Sequence, residues 1–203
     1  DLFARPADGH ALARLAQRAG VVVQRLCFLR PWSEVCAGDF SQHLKQHFER
    51  YLAARRAFDG LTFEAMAARR AVELAPARSL AGWNAVLGGP PAILAPHRAI
   101  RPVVEAALGV PGLDWAMPRH LANPSLRLCD CEAVAAMIDD PAVPAEAVRQ
   151  AFRDAHHRTA DPDPARSPAR MAAIEALFAR HDAALLADHG FDNRRREDAR
   201  ASA

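Results

Sequence analysis

Gly20-Val21-Val22-Val23-Gln24-Arg25-Leu26-Cys27-Phe28-Leu29-Arg30-Pro31 is the stretch on which the fold class turns. β-branched and then apolar residues follow a glycine and stop at a proline, the pattern of a short buried strand from about Val21 to Leu29 that ends at Arg30. A helix is expected at once. Phe40, Leu44, Phe48, Tyr51 and Leu52 recur at three- and four-residue spacing, with Gln42, Lys45, Gln46, Glu49 and Arg50 between them. This puts one apolar stripe on a helix from about Pro31 to Arg56. Only Ala92 to Pro96 also reads as strand, set off by Gly88-Gly89-Pro90-Pro91. Residues 30–91 lie between the two runs, far more chain than a hairpin needs, so the strands are expected to be parallel neighbours with the first one central. The class is α/β but mostly helical: a small parallel sheet flanked by helices.

Working outward, Asp59-Gly60 reads as a turn, and Thr62 can cap a helix carrying Phe63, Met66 and Val72 to about Leu74. A further helix from about Arg78 to Leu87 carries Leu80 and Trp83, and another from Ile100 to Leu108 stops at Gly109. Residues 110 to 125 are loop-rich. Beyond Ser125 helices are expected to about Ile138, from Pro144 to His157, and as one piece from Pro168 to His189 with Ser167 at its N-cap. Asp161-Pro162-Asp163-Pro164 reads as a turn or exposed loop. The organisation expected is one domain over residues 1–193, helical from about 125 to 190, and a charged tail over 194–203.

The 203 residues, 51% hydrophobic and 25% charged, suit one packed soluble domain. No apolar run is long enough to span a bilayer. A net charge of +2 is too small for a phosphate-backbone partner, so nucleic acid is not expected. Lys45 is the single lysine among the 26 basic residues, so each Arg carries less weight as a functional signal. Four cysteines, Cys27, Cys36, Cys129 and Cys131, are too few for a disulfide scaffold and point to a reducing, cytoplasmic setting. The opening Asp1-Leu2 reads as an artificial or processed end, without the pattern of a secretory signal.

Several residues invite chemistry. His43 and His47 stand four apart on one helix face, a spacing that can chelate zinc, but Leu44 stands where a metalloprotease needs its glutamate, and a solvated helix face accounts for the pair. Cys129 and Cys131 turn to nearly opposite helix faces and read as packing residues, with no metal site implied. His156 and His157 suit a helix C-terminus. Arg30, at the carboxyl end of a buried strand, is placed where α/β sheets bind anionic ligands, although a solvated strand-end Arg is the plainer alternative.

Cys27-Phe28-Leu29-Arg30-Pro31-Trp32, continuing through Phe40-Ser41-Gln42-His43-Leu44-Lys45, resembles the strand-helix segment of bacterial sulfotransferase-like proteins of the surface-polysaccharide type. In that family the strand-end Arg and a Ser on the following helix hold the 3'-phosphate of the sulfate donor. Arg30 matches the Arg, Gly38 falls at the Ser position and lacks its hydroxyl, and Phe40 with Ser41-Gln42 falls at the family's aromatic and Asn-Gln. Trp83 to Gly88, the short strand and Val103 to Gly109 resemble the family's helix-strand-helix return. Arg119 to Leu126, with Asn123 and Ser125, is similar to its Arg/Asn-x-Ser segment, and Ser167 to Gly190 to its closing helix.

The resemblance implies a P-loop sulfotransferase-like fold and sulfuryl transfer from 3'-phosphoadenosine 5'-phosphosulfate to a sugar or polysaccharide hydroxyl. Arg30, Gly38, Arg119, Asn123 and Ser125 would stand at the donor and His43 would be the base. The glycine-rich loop that holds the phosphosulfate end in the family is missing: residues 1–20 contain only Gly9 and Gly20, and no G-x-x-x-x-G-K occurs. The fold is then incomplete or degenerate. The chain is expected to be either the later part of a longer enzyme or a relative without the donor site, serving as a helical interaction module. A homo-oligomer is compatible with either.

Overall fold

In the computed structural model, residues 6–115 and 123–194 are described. In chain order they form α1 (Pro6–Ala19), β1 (Leu26–Leu29), α2 (Trp32–Ala54), a 3-10 turn (Ala57–Gly60), α3 (Phe63–Glu73), α4 (Pro76–Leu87), β2 (Ile93–Pro96), a second 3-10 turn (His97–Ala99), α5 (Ile100–Leu108), α6 (Leu128–Asp139), α7 (Ala145–His157), α8 (Pro168–Leu177) and α9 (Ala179–His189). The protein is mostly helical with one two-stranded parallel sheet. The chain divides into two compact units. One comprises residues 1–31, 74–116 and 179–203, the other residues 32–73 and 117–178. Among the described residues no helix is long and apolar enough to cross a membrane.

The first unit holds the sheet. β1 and β2 pair in the register Leu26↔Ile93 to Leu29↔Pro96. The expected strand from Val21 is shorter than its β-branched run, for two physical reasons. Gly20, in the left-handed region at φ 66°, ends α1, and Gly20 and Val21 donate back to Gln17 O and Ala16 O, so Val21 belongs to a helix cap and is exposed. On the other strand Pro90 and Pro91 have no N–H to extend the ladder, and pairing starts where Ile93 donates to Arg25 O at 2.9 Å. Arg25 ties this entrance together by donating to Trp83 O at 3.1 Å and to Pro90 O. α1 packs on α4 so closely that Gly9 lies under the Trp83 ring, and α4 packs on α9.

The second unit is built around α2. Phe40, Leu44, Phe48, Tyr51 and Leu52 are all buried, as their spacing requires. Phe40 stacks on Phe58 at 3.8 Å and meets Phe63 edge-on at 5.5 Å, Phe48 stacks on Phe152 at 4.0 Å, and Trp32 on Phe178 at 4.8 Å. Cys131, Val134 and Ile138 of α6, Val148 of α7 and Ile174 of α8 complete the core. The four cysteines are free, and burial pushes the Cys36 and Cys131 thiols up to about 12.

The helix expected in one piece from Pro168 to His189 is two. α8 closes at Phe178, whose N–H turns to the Glu175 carbonyl and whose ring is buried against Trp32. The turn at 161–164 is more than a loop. The Asp163 carboxylate accepts from the Leu128 and Cys129 N–H groups at 2.6 and 3.2 Å and so caps α6.

Candidate functional site

Two groups of polar side chains stand out, one in each unit. In the sheet unit, the parallel register brings together the residues that follow each strand. Arg30 succeeds Leu29 and His97 succeeds Pro96, and because Leu29 is opposite Pro96 the two basic side chains meet. The Arg30 Nη2 donates to His97 Nε2 at 2.7 Å, which requires a neutral imidazole with its lone pair on Nε2. Arg30 is exposed, and its guanidinium makes no ion pair among the described residues. A guanidinium and an imidazole at the carboxyl ends of parallel strands form a site for an anion, with one charge-assisted hydrogen bond from Arg30 and a second from His97 once its ring is protonated.

In the helical unit the extended segment Asn123–Leu126 is latched along α2. Lys45 Nζ donates to Asn123 Oδ1 at 2.7 Å and to Pro124 O at 3.0 Å, Asn123 Nδ2 donates to Gln42 Oε1 at 3.3 Å, and the buried Ser41 hydroxyl accepts from Leu126 N–H at 2.8 Å. A Cβ built on Gly38 would have Ser125 Oγ 3.9 Å away, so a hydroxyl from the latched segment lies beside the position that lacks one. Gly38, Asn123 and Ser125 are thus on one side of α2, with Ser41, Gln42 and Lys45. Arg119 lies outside the described residues.

The first turn of α2 is occupied from within. Glu175 accepts from the Trp32 and Ser33 N–H groups at 3.1 and 2.9 Å and from Ser33 Oγ at 2.6 Å. A carboxylate therefore takes the amides that a helix start could otherwise offer to a ligand anion.

His43 lies on another stretch of α2, half-buried, with the His47 ring centroid 5.6 Å away. Burial, the neighbouring His47 and Arg70 lower its pKa and hold the imidazole neutral. Among the described residues no group of three or more His, Cys, Asp or Glu side chains could hold a metal ion. His43 opens into a cavity of about 160 Å³ whose walls include Tyr51, Phe58, Asp59, Met66, Arg70 and Glu73. Phe58 and Asp59 are consecutive non-glycine residues in the left-handed region, at φ 48° and 56°, each costing about 1–2 kcal/mol. The turn is held by the Phe40–Phe58 stack and by the Ala57 N–H, which donates to Asp139 Oδ1 at 2.6 Å.

The sequence pointed to Arg30, Gly38, His43, Arg119, Asn123 and Ser125 and missed two residues that the geometry adds. His97 carried no signal in the sequence beyond its place just after the second strand, and Lys45 stood out only as the single lysine, at the end of the resembling segment. Comparison of the chain with protein-family models, with curated proteins and with solved structures finds no match.

Proposed function

We propose that this is a sulfotransferase-like protein that binds the 3'-phosphate end of 3'-phosphoadenosine 5'-phosphosulfate through Arg30 and His97, in the service of sulfating a sugar or polysaccharide hydroxyl. The observation that carries the reading is the meeting of Arg30 and His97 just past the carboxyl ends of two parallel strands. An arriving phosphate would take the Arg30 N–H from the imidazole nitrogen and, with a proton taken up at His97 Nε2, would be met by two donors. The Asn123–Leu126 latch and the Ser125 hydroxyl beside Gly38 support the same reading, because they join the segments on which the sulfotransferase resemblance rests.

The fit extends to the 3'-phosphate and not to the phosphosulfate. The 203 residues contain no glycine-rich phosphate loop, and Glu175 fills the start of α2. Bound donor would supply the transferable sulfuryl group; Arg30 and His97 would anchor its far end, and His43, in the helical unit, is the candidate base. The purified chain therefore binds the nucleotide without turning it over. A second reading, a non-catalytic interaction module of the same ancestry, is favoured by that Glu175 cap. Calorimetric titration with adenosine 3',5'-bisphosphate separates them: saturable binding supports the donor-site reading, and no heat of binding at millimolar nucleotide selects the module.

A further inference from the structure

Between α2 and α7 lies a groove of about 390 Å³ whose walls include Lys45, Phe48, Arg50, Arg149, Phe152 and Arg153. That volume is in the range of small-molecule sites. Its apolar floor is the Phe48–Phe152 stack, with ring centroids 4.0 Å apart. The cations around it are held in two different ways. Arg149 bonds Glu49 at 3.1 Å and Arg153 bonds Glu146 at 2.7 Å, but the two carboxylates are 67% and 71% exposed. Surface pairs of this kind are worth little, so an entering anion can take either guanidinium. Glu49 follows Lys45 by one turn of α2, which puts Arg149 along the same helix face as Lys45.

Lys45, the chain's single lysine, makes no ion pair among the described residues; its Nζ is held by two uncharged oxygens, Asn123 Oδ1 at 2.7 Å and Pro124 O at 3.0 Å. An unprotonated amine has two N–H groups and one lone pair. Two acceptors take both N–H groups and leave the lone pair for an electrophile in the groove. The side chain is half-buried, and burial lowers its pKa. Desolvation, with other cations nearby, is the setting in which a lysine becomes a nucleophile toward carbonyl compounds.

We propose that Lys45 forms a reversible imine with a 2-oxo acid bearing an apolar side chain, whose carboxylate takes Arg149 and whose side chain lies on Phe152. In a 2-oxo acid the anion and the electrophilic carbon are adjacent, as the arginine and the amine are here. Lys45 first gives its ammonium proton to water. The Nζ lone pair then adds to the ketone carbon, the C–O bond of the resulting carbinolamine breaks, one water leaves and the C=N bond forms; water reverses the step. The site draws nothing from Arg30 or His97, and its test contains no nucleotide.

The experiment incubates the full chain with 4-methyl-2-oxopentanoate and sodium cyanoborohydride at neutral pH. The reduced adduct is located by peptide mass mapping, which separates Lys45 from the terminal amine, and N-acetyl-lysine amide is the reference. Lys45 is expected to be labelled about tenfold faster than the reference, the worth of one charge-assisted hydrogen bond to the carboxylate. The methyl ester should lose that advantage although its ketone is the more electrophilic, and Arg149→Ala should lose it for the acid. Asn123→Asp gives the amine a carboxylate partner, keeps it protonated and slows labelling, while urea unfolding of both variants shows that the fold is kept. Labelling of Lys45 no faster than the reference, an adduct at the terminal amine alone, or equal rates for acid and ester would each overturn the proposal.

Discussion

Glu175 joins the end of the chain's helical unit to its beginning, and Glu175→Ala measures what that junction contributes. The carboxylate receives three hydrogen bonds at the start of α2, from Trp32 N–H, Ser33 N–H and Ser33 Oγ. Loss of an N-cap acceptor costs about 0.5–2 kcal/mol. Trp32 and Ser33 are 4% and 3% exposed, so water replaces the carboxylate poorly, and the buried amides left unpaired raise the loss above that range, to about 2–3 kcal/mol. Glu175→Gln keeps one acceptor oxygen and should lose about 1 kcal/mol. The assay is equilibrium urea unfolding followed by tryptophan fluorescence, to which Trp32, stacked on Phe178, reports locally. With a urea dependence of about 2–3 kcal/mol per molar, the midpoint of Glu175→Ala falls by about 1 M. A shift below about 0.5 kcal/mol would refute the reasoning, because the buried amides would then have found another partner.

Three further outcomes follow from the packing. Gly9→Ala puts a Cβ 2.7 Å from Trp83 Cζ3 and 3.0 Å from Val86 Cγ1, so α1 must shift on α4, and thermal unfolding should register a loss of about 1–3 kcal/mol. Gly38→Ala has room, since its Cβ meets only Ser125 Oγ at 3.9 Å, and inside α2 it should stabilise by about 0.5–1 kcal/mol; a destabilised variant would mean the latched segment sits closer than this. Burial alone would raise the pKa of Asp130, but the Arg127 and Arg158 guanidiniums outweigh it and hold the carboxyl below its ordinary value of 3.8. Its stabilising contribution is therefore complete above that value and disappears as pH falls through the lower, folded one. Asp130→Asn should flatten the acid limb of stability against pH, and an unchanged limb would contradict the assignment.

Much of this architecture was legible. Apolar spacing gave α2, and the long interval between two strand-like runs gave their parallel pairing, because both depend on periodicity and connection length alone. The strand's true start was lost to a local competitor: Gly20 caps α1 and draws Val21 into the cap, outweighing the β-preference of three valines. The break at Phe178 has no glycine or proline to announce it and comes from burying an aromatic ring against Trp32. Asp163 looked like an exposed turn because the amides it caps are about 35 residues away in sequence. At the candidate sites Arg30 was visible by its strand-end position, whereas His97 became its partner only through the sheet register.

The central claim is that Arg30, beside His97, recognises a 3'-phosphate. Its most direct test is a cycle of four affinities: adenosine 3',5'-bisphosphate and adenosine 5'-phosphate, each against the native chain and Arg30→Ala, measured by calorimetry at one fixed salt concentration. The account predicts that the 3'-phosphate improves binding to the native chain by about tenfold or more, the worth of a charge-assisted pair, and that Arg30→Ala erases this gain while the 5'-phosphate nucleotide binds both chains alike. A native chain indifferent to the 3'-phosphate, or a gain that survives in Arg30→Ala, would contradict it.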